Sequence, residues 1–257
     1  MVYETLLVEE SLECLTLTIN RPENHNSINA VLLADINRAL DAAEKRPDCR
    51  MVVIEGKDGV FCTGMDFEDI VAHSFLDKTK EMQSSNYMAL LKRFTLSPKI
   101  IVCKLDGKVT AGGVGLVASS DLVVATERSQ FNLTEALWGL LPCCVLPYLI
   151  RRIGFQKAYI MTLTTRTVTA REAYAFHLID ELSENLEDSI RKLKLRLNKL
   201  EEKTITNLKH YFRKMWLITE EMEQVAMDEI TRLVSDPGVR ENITNFVVHQ
   251  KLPWENR

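Results

Sequence analysis

Ile100-Ile101-Val102-Cys103-Lys104-Leu105-Asp106-Gly107-Lys108-Val109-Thr110-Ala111-Gly112-Gly113-Val114-Gly115-Leu116-Val117-Ala118 is the stretch that decides how this chain is read. It opens on a solid apolar run, as expected for a strand covered on both faces. Residues 107–115 are rich in glycine, and a short apolar helix is predicted after them. Asp121-Leu122-Val123-Val124-Ala125 then predicts a further strand. Upstream, Leu15, Leu17 and Ile19 alternate with threonines, the period-two pattern of a half-buried strand. Ile28, Leu32, Ile36 and Leu40 recur about one turn apart and predict a helix, which Pro47-Asp48 stops. Met51-Val52-Val53-Ile54 predicts another buried strand. Strands separated by helices imply an α/β fold with a mostly parallel sheet.

Residues 77–97 are predicted to be helical. Beyond Pro142 the strand signals nearly vanish. Helices are predicted over 150–164 and 170–176, and charged helical sequence over 183–234. Asp236-Pro237-Gly238 breaks that run, and a last short helix is predicted over 241–249. The chain therefore reads as a sheet-rich core followed by a helical part.

Composition bounds the function. The 257 residues carry a formal net charge of −4, without the basic excess of a nucleic-acid binder. No stretch approaches the ~20 apolar residues that span a bilayer. The N-terminus lacks the basic and apolar regions of a secretory signal. The six cysteines show no zinc spacing, and several sit among apolar neighbours. Free, buried, reduced thiols in a cytoplasmic protein are expected, with no metal, no membrane and no nucleic acid as partner.

Two glycine-centred turns carry the chemistry. One is Phe61-Cys62-Thr63-Gly64-Met65-Asp66; the other is the 107–115 segment. Each lies between a predicted strand and a helix. Glycine lets a ligand approach the backbone closely, and the first N–H groups of a helix lack intrahelical acceptors. Two such turns side by side can aim two N–H groups at one oxygen, which is an oxyanion hole. The glycines alone also fit close packing or a nucleotide turn, although neither the phosphate-loop nor the full dinucleotide pattern is present.

Asn20-Arg21-Pro22, Asn26-Ser27-Ile28-Asn29, the two glycine turns, Phe131-Asn132-Leu133-Thr134-Glu135 and Gly139-Leu140-Leu141-Pro142 follow one another in a set order. Arg151-Arg152-Ile153-Gly154, Thr169-Ala170-Arg171-Glu172-Ala173 and Leu178-Ile179-Asp180 continue it. In these features, over essentially its whole length, the chain resembles the enoyl-CoA hydratase/isomerase, or crotonase, family. The resemblance implies a crotonase fold of repeated ββα units forming a spiral core over 1–195, with the active site. A helical C-terminal region over 196–257 would serve trimerisation and pocket closure. It implies that the N–H groups of Met65 and Gly112 polarise a thioester carbonyl, and that Glu135 is the catalytic acid/base. His25, Asp66, Tyr87, Gly113 and Cys143 become candidate substrate-binding residues. The loop from His25 would lie along the pantetheine, and the Cys143 N–H would hold a water or hydroxyl. Asp66 also has a purely local reading, stabilising the helix it begins, and Tyr87 equally reads as core.

Hydratases of this family carry two catalytic glutamates. One position matches Glu135; the other is Gly115 here. A single carboxylate would then take the α-proton and return it to the leaving hydroxyl. Apolar neighbours such as Leu137 and Trp138 would raise its pKa. Within the family, Gly107-Lys108-Val109, Leu140-Leu141-Pro142-Cys143-Cys144-Val145-Leu146-Pro147 and Pro253-Trp254-Glu255 resemble the dehydratases of polyketide β-branching. Those enzymes convert 3-hydroxy-3-methylglutaryl on an acyl carrier protein to 3-methylglutaconyl. The resemblance thus implies an acyl carrier protein partner, a homotrimer or dimer of trimers, and no cofactor beyond the substrate's phosphopantetheine or CoA. A decarboxylase, an enoyl-CoA isomerase or hydratase, and a catalytically silent scaffold stay open as alternatives.

Overall fold

The apolar runs predicted as covered strands are the centre of the molecule. In the computed structural model, which describes residues 2–73, 77–216 and 219–256, β3 (Met51–Glu55) lies parallel between β2 (Cys14–Ile19) and β5 (Ile100–Leu105), with Met51 opposite Ile100. β1 (Leu6–Glu10) adds an antiparallel edge, while β7 (Leu122–Ala125) and β10 (Glu181–Leu182) extend the other side in parallel. Alternate residues face different layers. Val52, Ile54, Ile101 and Cys103 enter the main core, whereas Met51, Val53, Val102 and Val124 pack with Ile190 and Ile205 on the opposite face. Burial on both faces explains why these strands read as unbroken apolar runs.

A second sheet holds β4 (Val60–Cys62), β6 (Lys108–Thr110), β8 (Gln130–Asn132) and β9 (Val168–Thr169). β3–β4, β5–β6 and β7–β8 each place one strand in either sheet. Helices then return the chain: α2 (Phe67–His73) and α3 (Asp77–Leu96) after β4, and α4 (Gly112–Ser119) after β6. This strand-strand-helix repeat is the crotonase spiral. The plain strand-helix-strand alternation drawn from periodicity is corrected here, because three-residue strands are too short to show a period. β4 and β6 hide inside the two glycine segments.

α1 (Ala30–Glu44) starts where Asn29 caps it, its side chain accepting from the Leu32 N–H at 2.9 Å. The helix predicted over 150–164 is two, α5 (Leu146–Ile153) and α6 (Phe155–Thr164), parted at Gly154 with φ +81°. After α7 (Ala170–Ala175), the charged segment forms α8 (Leu186–Leu197), α9 (Glu202–Lys214) and α10 (Glu220–Ser235). Residue 195, where the core was expected to end, falls inside α8. The breaker Asp236-Pro237-Gly238 itself starts the last helix, α11 (Pro237–His249): Pro237 occupies its first turn and the Asp236 carboxylate accepts from Gly238 and Val239. Among the described residues no helix is long and apolar enough to cross a membrane. All six cysteines are free and buried.

Candidate active site

The two glycine turns meet. Gly64 has φ +91°, and a Cβ there would stand 2.6 Å from Ala111 Cβ, so only glycine permits the approach. The Ile28 N–H donates to Gly64 O at 2.7 Å, and the Asp66 N–H donates to Ile28 O at 2.9 Å. That parallel bridge uses the peptides on either side of Met65 and turns the Met65 N–H away from Ile28. Gly112 opens α4 after Ala111, whose φ of +50° is costly for a residue with a Cβ. The Gly112 N–H is one of the helix's four orphan donors. Among the described residues neither N–H has a backbone acceptor.

Met65 and Gly112 both line a cleft of about 530 Å³, and so does Glu135. β8 carries the chain to Glu135, which begins a single 3-10 turn, Glu135–Trp138. Among the described residues its Oε2 is buried without a partner. Burial pushes the Glu135 carboxyl up to about 7, with the backbone amides at Glu135 and Thr134 pulling weakly the other way. The group is therefore close to neutrality, where a general base works best. Trp138 lines the cleft beside it, as expected; Leu137 does not.

The other candidates divide. His25 lies exposed at the mouth, its carbonyl accepting from Thr63 Oγ1 at 2.9 Å. Tyr87 reaches the cleft from α3, is only 4% exposed, and donates its hydroxyl to Gly112 O at 2.5 Å. Two expectations need correction, and a third residue, Asp66, keeps its local reading. Gly113 does not line the cleft: a Cβ there would stand 2.5 Å from Cys62 O, so this glycine lets α4 pack on β4. Cys143 lines the cleft, but its N–H is not free for a water, since it donates to Leu141 O at 2.8 Å. Asp66 borders the cleft with both oxygens occupied. Oδ2 accepts from Arg21 and from Ser27, each at 2.9 Å, and Oδ1 accepts from the Asp69 N–H at 3.1 Å. These partners hold the Asp66 carboxyl below its usual range against the effect of burial. Its local reading, stabilising the helix it begins, is supported by the Asp69 N–H contact, and the Arg21 and Ser27 contacts in addition tie the first glycine turn to the loop before α1.

Sequence reasoning missed the far wall. Ile230 and Val234 from α10, with Ile243, Phe246 and Val247 from α11, close the cleft. Trp138 stacks edge-on between Phe67 and Phe246, at 5.1 and 4.9 Å between ring centroids. The spacing of Ile243, Phe246 and Val247 marks one helix face, but which surface that face covers is decided only by the folded chain.

Two glycine turns whose N–H groups at Met65 and Gly112 lack backbone acceptors among the described residues, a glutamate with an unpartnered buried oxygen and a cleft closed by C-terminal helices, all on a two-sheet spiral, are the features of the crotonase class. Residues 9–257 match the enoyl-CoA hydratase/isomerase family, and the chain belongs to that family. A similar protein is the bacillaene synthase dehydratase of Bacillus subtilis (strain 168), 32% identical over 100% of this chain and 99% of the relative. A crystal structure of a putative polyketide biosynthesis enoyl-CoA hydratase from Bacillus subtilis superposes with a TM-score of 0.88, covering 96% of this chain and 98% of that one at 32% identity. An enoyl-CoA hydratase of Mycobacterium tuberculosis is 32% identical over 67% of this chain and 66% of its own. These relatives are named as a dehydratase and hydratases, and the chain is accordingly an enzyme of the hydro-lyase type.

Proposed function

We propose that this enzyme removes water from 3-hydroxy-3-methylglutaryl carried on an acyl carrier protein, giving the 3-methylglutaconyl thioester in polyketide β-branching. The observation that carries the reading is Glu135, whose buried Oε2 has no partner among the described residues and whose pKa is pushed up to about 7, on the cleft that Met65 and Gly112 also line. Full-length similarity to a bacillaene synthase dehydratase supports the substrate class. The thioester oxygen binds between the Met65 and Gly112 N–H groups. Each donor stabilises the developing enolate by about 3 kcal/mol. Glu135 takes the α-proton. Position 115, where a two-carboxylate hydratase holds its other glutamate, is glycine, which disfavours concerted water addition by a carboxylate pair. The carrier protein's pantetheine enters past His25, and the working assembly is a homotrimer or a dimer of trimers.

The test is incubation with 3-hydroxy-3-methylglutaryl on carrier protein and on CoA, read by intact mass. Loss of 18 Da, one water by stoichiometry, is the expected result. Loss of carbon dioxide from the glutaconyl thioester would instead assign the decarboxylation step. No change with either carrier would refute the reading.

A further inference from the structure

We propose that Tyr87 is the proton donor to the hydroxyl that leaves C3, its phenol standing where a side chain at position 115 would otherwise reach into the cleft. The proposal rests on the dehydration reading above. A Cβ on Gly115 would lie 2.1 Å from Tyr87 Oη and 3.0 Å from Val145 Cγ2, so the phenol and that methyl already fill the space. The absence of a glutamate at 115 therefore leaves no hole. One hydroxyl replaces one carboxyl, and it comes from α3 rather than α4.

The placement suits the task. Tyr87 lines the same cleft as Glu135, and its hydrogen bond to Gly112 O ties it to the residue whose N–H serves the thioester oxygen. Burial, and after it the neighbouring Cys144, Cys62, Glu135 and Tyr148, hold the phenol's pKa well above the usual value. The phenol thus keeps its proton until a stronger base forms beside it. A departing hydroxide is such a base. The backbone alternative is closed, because the Cys143 N–H is bonded to Leu141 O.

The step balances as written. Glu135 takes the C2 proton, the C2–H electron pair becomes the C2=C3 bond, and the C3–O bond breaks. Rotation about the phenol C–O bond turns the Tyr87 proton from Gly112 O to the leaving oxygen, which departs as water. That water relays the proton from Glu135 to the phenolate and resets both groups. Glu135 then performs one proton transfer rather than two.

Tyr87→Phe in the full-length protein separates this role from a structural one. Two probes are used, each on carrier protein and on CoA: the 3-hydroxy-3-methylglutaryl thioester for water loss, and the 3-methylglutaryl thioester in D2O for α-proton exchange, which needs only Glu135 and the oxyanion hole. Water loss is expected to fall about 100-fold or more, with exchange kept within roughly threefold. Gly115→Ala, whose methyl displaces the same hydroxyl without removing it, is expected to give the same split. Near-native water loss in Tyr87→Phe overturns the proposal. So does a parallel loss of both activities, which would mean that Tyr87 only shapes the oxyanion turn. Wild-type protein that exchanges the α-proton but releases no water overturns the dehydration reading, and the role of Tyr87 falls with it.

Discussion

Glu135→Gln keeps the side-chain volume and removes the charge, so it tests activity and stability together. The Glu135 carboxyl stands at about 7 in the fold against 4.5 for an exposed glutamate, because it is buried. The sign of the consequence follows from proton binding. Below 4.5 the proton is bound in both states and nothing is lost. Between 4.5 and about 7 the unfolded chain releases its proton while the fold retains it, so stability falls as pH rises. Above about 7 the fold carries the full cost of a buried charge. The difference between the two values corresponds to about 3 kcal/mol as an upper figure. Glutamine has no such cost. The variant is expected to be more stable than wild type at pH 8, by up to ~3 kcal/mol, and nearly equal to it at pH 5. Over the same range wild-type turnover rises through about pH 7, as the base form appears. In the variant, dehydration is expected to fall about 100-fold or more. Urea unfolding followed by circular dichroism at the two pH values, and turnover read by mass, measure both. A stability difference independent of pH would refute burial as the cause of the raised pKa. Near-native turnover would remove Glu135 from the mechanism.

Gly64→Ala puts a methyl 2.6 Å from Ala111 Cβ at a φ of +91°. It should part the two turns and cost about 100-fold in kcat, the effect of losing one oxyanion donor, together with ~1–2 kcal/mol in urea unfolding. Asp66→Ala leaves the largely buried Arg21 guanidinium without its carboxylate. A loss of about 3 kcal/mol in stability is expected, with KM for the thioester unchanged in the variant that still folds; a selective rise in KM would return Asp66 to the substrate. Trp138→Ala removes the ring that links Phe67 to Phe246. Each edge-on contact is worth about 1 kcal/mol, so α11 should loosen, seen as faster amide exchange over residues 237–249 and a higher KM.

The legible parts of the fold were those whose environment is uniform along the chain. β2, β3, β5 and β7 are covered on one or both faces for their whole length, and their apolar runs said so. β4, β6 and β8 have three residues each, less than two periods of a strand, and left no pattern to read. Gly154 between α5 and α6 was invisible for a related reason: apolar periodicity carries across a one-residue break. At the site, Met65, Gly112 and Glu135 were recognisable through the family resemblance, and the structure gathers them around one cleft. Gly113 and the Cys143 N–H were misplaced because a backbone group's direction depends on a single φ or ψ, which residue type does not report.

The sequence by itself carried the resemblance that implies the class of this protein. Strand and helix periods, two glycine turns and one glutamate in a fixed order are local facts, and local facts survive without a fold. It also showed that position 115 offers no carboxylate. Only the tertiary structure decided what that absence means. Tyr87 and Gly115 are 28 residues apart in the chain, and their 2.1 Å conflict exists only because α3 packs across α4. Likewise the raised pKa of Glu135 depends on burial within a cleft whose far wall comes from α10 and α11, about a hundred residues downstream. Burial and close approach are properties of what surrounds a residue in space, and chain order does not supply them.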